Sequence, residues 1–135
     1  MSNAPAALLE RLLAFDTTSR ESNLALIDFI DDYLGSAGIA TKRFYDETRG
    51  KATLLARLGP VGDGGVMLSG HTDVVPVDGQ AWTVPPFCAT RRDGRIYGRG
   101  SADMKGFLAC VLAAVPDFLA APLRMPLWLA FSYDE

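Results

Sequence analysis

Five consecutive apolar residues, Leu127-Trp128-Leu129-Ala130-Phe131, constrain the fold of this chain more than any other feature. Two prolines, Pro122 and Pro126, precede the run, which shows no polar alternation. A strand of that kind is expected inside a sheet covered on both faces, because a strand with one wet face alternates apolar and polar side chains. Asp103 to Leu119 reads as a helix that is apolar almost all round, with Phe107, Leu108, Val111, Leu112 and Val115, and is therefore expected to be buried on several sides. Upstream, Leu8, Leu9, Leu12 and Leu13 predict a helix over 5–15. Leu24, Ile27, Ile30 and Leu34 predict a second, capped by Ser22 and stopped by Gly35 and Gly38. Strands are expected over 39–45, 52–58 and 66–69, with a hairpin at 89–97 turning on Asp93-Gly94. Helix, helix, strands, helix, strand, in that order, specifies an α/β class, read here as a three-layer αβα sandwich.

Composition narrows the function classes. A chain of 135 residues, 49% hydrophobic and 21% charged, is long enough for one globular domain with a real core. A net charge of −3 supplies no basic field, so nucleic acid is not the expected partner. The longest apolar run, Phe107 to Pro116, is too short to span a membrane. Met1-Ser2-Asn3-Ala4-Pro5 lacks the basic start and apolar core of a signal peptide. Cys88 and Cys110 fall in no metal or redox spacing, which fits a reducing cytoplasm. The acidic residues Asp28, Asp31 and Asp32 read as a solvated helix face.

The chemistry-bearing residues lie between Val66 and Gly106 and at the end of the chain. In His71-Thr72-Asp73 the outer residues project to the same side of an extended segment. One imidazole nitrogen can then face a metal while the other donates to Asp73, which fixes the tautomer. A polar turn after a strand explains the same three residues equally well. Asp103 follows Gly98-Arg99-Gly100 at an expected helix start, where it is either an N-cap or a carboxylate free to serve two cations. A dinucleotide loop is excluded, because Asp103 stands where that motif needs its third glycine. Lys105 is misplaced for a phosphate-binding lysine, which needs a glycine directly before it. The glycine-rich connector 58–65 is a flexible turn, since no helix start or lysine follows it. Trp82, Pro85, Pro86 and Phe87 form a stiff loop able to line a cleft. Glu135 follows the last strand, and a glutamate at a strand's carboxyl end can act as general base to a metal-activated water.

Met67 to Pro76, Gly98 to Gly106 and Asp134-Glu135 together resemble the co-catalytic zinc amidohydrolases and peptidases, over essentially the whole chain. Phe15 to Arg20 and Ser132 to Glu135 are most similar to the acetylornithine deacetylase branch of that family. The resemblance implies a phosphorylase/hydrolase-like zinc peptidase catalytic domain holding two zinc ions, with cobalt as a possible substitute. His71 would bind one ion, Asp103 would bridge both, Asp73 would orient His71, and Glu135 would be the general base. The implied reaction is hydrolysis of a small N-acyl amino acid, N-acetylornithine first, with succinyl-diaminopimelate or another N-acyl amino acid or peptide as alternatives. The implied state is a cytoplasmic homodimer with no membrane or nucleic-acid partner. Relatives carry further ligands and a lid or dimerisation domain downstream, so residues 1–135 are expected to be the N-terminal portion of the catalytic domain. On that expectation Leu127 to Phe131 forms an uncovered sheet edge, and an inactive chain with weak single-metal binding stands as the alternative.

Overall fold

The computed structural model describes residues 5–135, so the reading of the leader falls largely on residues outside that range. Helices α1 (Pro5–Leu13) and α2 (Leu24–Ser36) precede strands β1 (Thr41–Tyr45), β2 (Ala52–Leu58) and β3 (Val66–His71). A hairpin of β4 (Thr90–Arg92) and β5 (Arg95–Tyr97) follows, then α3 (Gly106–Ala113), α4 (Val115–Ala120) and β6 (Leu127–Ser132). The hairpin turns as expected, with Asp93 and Gly94 at φ 53° and 73°, because two left-handed residues match the strand twist.

The main sheet is mixed, in the order β1-β2-β6-β3. β6 runs antiparallel to β2 and parallel to β3. The expected uncovered edge at Leu127 to Phe131 is therefore corrected: β6 is interior, and β1 and β3 are the edges among the described residues. Val66 and Met67 of β3 are 59% and 54% exposed, whereas Leu129 and Phe131 are buried. The parallel step from β3 to β6 is carried by the helical segment α3–α4, the crossover such a pair requires.

One face of the sheet builds the core. Ala52, Leu54, Ala56 and Leu58 of β2 join Leu127, Leu129 and Phe131 of β6 in a single cluster with the apolar stripes of α1, α2 and α3. Tyr33 of α2 donates to the Leu112 carbonyl of α3 at 2.8 Å, so these helices form one layer. Alternate residues of β2, Thr53, Leu55 and Arg57, point to the other face, where Arg57 lies 5.9 Å from the Trp128 ring. The described residues thus contribute the sheet and one helical layer of the α/β architecture.

The helix expected over 103–119 is also corrected. Asp103 (φ −126°, ψ 95°) and Met104 (φ −137°, ψ 30°) leave helical dihedrals, so α3 starts at Gly106 and Asp103 is not its N-cap. Gly106 permits this winding, since a Cβ there would sit 2.4 Å from the Ser101 carbonyl oxygen. Pro116 opens α4 as a separate helix, because its ring nitrogen has no hydrogen to continue α3. Asn23, not Ser22, occupies the N-cap of α2, and its side chain is used elsewhere.

Candidate metal centre

Parallel pairing of β3 and β6 brings their carboxyl ends to one edge, with His71 opposite Ser132. β3 runs two residues further than expected, making His71 its last residue. Gly70 allows α3 to approach from behind: a Cβ there would meet Leu108 Cδ2 at 2.6 Å, Met104 Cε at 2.9 Å and Phe107 Cδ1 at 3.0 Å. That packing delivers the Ser101–Lys105 turn beside the end of β3. His71, Asp103 and Glu135 each offer a ligand atom there, all within 4.8 Å of one another. They line a cleft of about 230 Å³ with Asp73, Val74, Val75 and residues 98–102. The Arg99 guanidinium lies 5.0 Å from the Trp82 ring, but Trp82, Pro85, Pro86 and Phe87 do not themselves line this cleft.

His71 Nδ1 lies 2.9 Å from Asp73 Oδ1 and Nε2 lies 3.0 Å from Asp103 Oδ1. The His71 and Asp73 side chains are 12% and 15% exposed, while Asp103 is 79% exposed. Burial alone pushes the imidazole pKa down, but the Asp103 and Asp73 contacts outweigh it and raise it above the ordinary value. The two carboxylates beside it thus stabilise positive charge on the imidazole. A borderline nitrogen donor and two carboxylates also suit zinc, and Asp73 behind the imidazole completes the usual support of a ligating histidine. The structure thus brings together all four residues singled out in the sequence, and Asp73 sits behind His71 as the extended spacing requires.

Other supports escaped the sequence reading. Thr72, fully buried, donates through its amide and its hydroxyl to the Ser132 carbonyl, both at 2.8 Å. Its own carbonyl accepts from Thr17 Oγ1 at 2.6 Å, and Asn23 Nδ2 donates to its hydroxyl at 2.8 Å. One residue thereby ties the His71 strand end to the segment carrying Glu135. Residues 17–19 pair with Val74 through Val74 N–H to Thr17 O and Ser19 N–H to Val74 O, both 3.0 Å. Lys105 is fully buried, and burial pushes its pKa down to about 8 against the pull of Asp16. Neither Thr72, between His71 and Asp73, nor Asn23, after Glu21-Ser22, carries a local sequence signal of its burial.

Comparison with known proteins identifies the family and the fold. Acetylornithine deacetylase of Proteus mirabilis is 43% identical over 123 residues, 90% of this chain and 32% of that protein. The acetylornithine deacetylase of Photorhabdus laumondii is 42% identical over 123 residues, again 90% of this chain and 32% of that protein. The chain thus spans about a third of the length of the curated relatives it matches. Human carnosine dipeptidase 1 superposes with a TM-score of 0.80 at 25% identity, over 95% of this chain and 31% of that one. An M20 family metallo-carboxypeptidase, Sso-CP2 of Sulfolobus solfataricus, gives a TM-score of 0.74 at 26% identity, over 98% of this chain and 31% of that one. The family model of peptidase family M20/M25/M40 matches residues 67–135, a span that holds His71, Asp73, Asp103 and Glu135, and the chain belongs to that family.

Proposed function

We propose that the protein hydrolyses the amide bond of an N-acyl amino acid, with N-acetylornithine as substrate. The observation that carries this reading is the convergence of His71, Asp103 and Glu135 within 4.8 Å at the carboxyl ends of two adjacent strands. The substrate is supported by relatives named acetylornithine deacetylase that align over 90% of this chain. His71 Nε2 and the Asp103 carboxylate would hold zinc, Asp103 bridging two ions where two are bound. Zinc in such a site polarises a carbonyl and lowers the pKa of a water. With its proton on Nδ1, donated to Asp73 Oδ1 2.9 Å away, His71 would keep the Nε2 lone pair available. Glu135 takes a proton from the water as its oxygen bonds to the amide carbon. The same carboxyl returns that proton to the nitrogen as the C–N bond breaks, leaving acetate and a free amine. We assign residues 1–135 to the N-terminal portion of the catalytic domain, supported by their coverage of 32% of the relatives. A cytoplasmic location is supported by the two free cysteines, Cys88 and Cys110, both exposed. No helix among the described residues is long and apolar enough to cross a membrane.

One observation favours a second reading. A single group of three donors is present among the described residues, which suits one weakly held cation without catalysis. Steady-state assays of the complete protein with N-acetylornithine and succinyl-diaminopimelate side by side separate the possibilities. Preference for N-acetylornithine supports the proposal, preference for the succinylated substrate overturns its substrate, and no turnover of any N-acyl amino acid overturns the reaction.

A further inference from the structure

Lys105 is the only charged side chain among the buried described residues, at 0% exposure, and the chemistry above makes no use of it. Burying an ammonium group away from a paired anion is costly, and an apolar side chain of similar volume fills such a space without that penalty. Here Nζ donates to the Leu12 carbonyl at 3.0 Å and the Phe15 carbonyl at 2.7 Å. Leu12 is in the last turn of α1 and Phe15 lies two residues beyond its end. The carbonyls at a helix's carboxyl end and the helix dipole both favour a cation at that point, and the Leu12 carbonyl accepts from Phe15 N–H at 3.3 Å as well. The Lys105 backbone faces the other way, its N–H donating to the Gly100 carbonyl at 2.8 Å. Asp103 lies between these two anchors with non-helical dihedrals, and with a side chain open to solvent it is held from beneath. Gly98 of the same loop packs on α1 as well, since a Cβ there would meet Leu13 Cδ1 at 3.0 Å.

We propose that Lys105 is a positioning residue for the metal centre: its ammonium ties the Ser101–Lys105 turn to the carboxyl end of α1 and so sets Asp103 opposite His71. The inference rests on the reading of His71 and Asp103 as metal ligands. The test measures metal affinity and the visible absorption of Co(II) in the complete protein, in competition with a chelator and well below the melting temperature. Lys105→Met keeps most of the side-chain volume and removes the donors. It is expected to weaken Co(II) and zinc binding about 10- to 100-fold, the range for lost outer-shell support, and to alter the Co(II) spectrum. Ile30→Ala, a core change in α2 remote from the site, is the control: it should lower the melting temperature and leave both readouts unchanged. If Lys105→Met does not melt cooperatively, Lys105→Gln takes its place, with the same expected direction. Unchanged affinity and spectrum in the variant, beside a metal-binding parent, overturn the tether and leave the metal centre standing. Absence of metal binding by the unmodified protein overturns the metal centre and the tether together.

Discussion

Replacing Asn23 by alanine tests how the site is held. Asn23 is 2% exposed and its amide makes three buried hydrogen bonds. Nδ2 donates to the Ala52 carbonyl at 2.9 Å and to Thr72 Oγ1 at 2.8 Å, and Oδ1 accepts from the Ala52 N–H at 2.9 Å. Alanine leaves the Ala52 N–H without its acceptor and the Thr72 hydroxyl without its donor. An orphaned buried polar group costs about 1–3 kcal/mol, and the vacated amide volume adds a cavity, so the expected loss is about 3–4 kcal/mol. That is a large share of a typical domain stability of about 5–15 kcal/mol. Ser22→Ala is the contrast, because Ser22 is exposed and its hydroxyl only accepts from Leu24 N–H at 3.1 Å. Its expected cost is about 0.5–1 kcal/mol, as for one exposed side-chain-to-backbone hydrogen bond. Urea unfolding followed by far-UV circular dichroism measures both. A cost below about 1 kcal/mol for Asn23→Ala, or equal costs for the two variants, would refute the reasoning that buried polar satisfaction is carried by Asn23.

Two further outcomes follow from the packing. Gly70→Ala forces Leu108, Met104 and Phe107 to give way and should cost about 1–3 kcal/mol by denaturant titration; because Met104 adjoins Asp103, equilibrium dialysis should also show weaker zinc uptake. Asp31 accepts from Thr41 and from Arg43 across α2 and β1; burial pushes its pKa up, but those partners outweigh it and hold it below the ordinary 3.8. A carboxyl depressed on folding stabilises the native state above its unfolded pKa and loses that contribution as pH falls through the folded value. Asp31→Asn should therefore be about 1–2 kcal/mol less stable at pH 7 and nearly equal to the parent at pH 2, read by melting curves across that range.

The sequence pattern showed most of the element types and the pairing of His71 with Asp73 because both depend on local order. Leu127 to Phe131 reads as a buried strand from its own side chains, and His71 with Asp73 reads as a pair from the two-residue spacing of a strand. Strand order has no such local signature. The missing alternation in β6 implies cover on both faces but not which strands flank it; the expected chain boundary suggested an edge, and the pairing with β2 and β3 decides against that. Asp103 looked helical because the apolar stripe of α3 starts close behind it. Only the close approaches at Gly100 and Gly106, where a Cβ would meet Val74 Cγ1 at 2.5 Å and the Ser101 carbonyl at 2.4 Å, reveal the tight turn. Asn23 and Lys105 were illegible because a buried polar residue has the same neighbours in sequence as a solvated one. Their role depends on carbonyls and hydroxyls 29 to 93 positions away.

The central assignment separates a ligand from a base, and Glu135→Gln in the complete protein tests it most directly. Metal content by elemental analysis is measured on the same samples as N-acyl amino acid hydrolysis, beside Asp103→Ala. The account predicts that Glu135→Gln keeps its metal and loses turnover by about 10²–10⁴-fold, the range for a removed general base, whereas Asp103→Ala loses metal and activity together. Near-normal turnover in Glu135→Gln, or loss of its metal to the level of Asp103→Ala, would contradict the assignment.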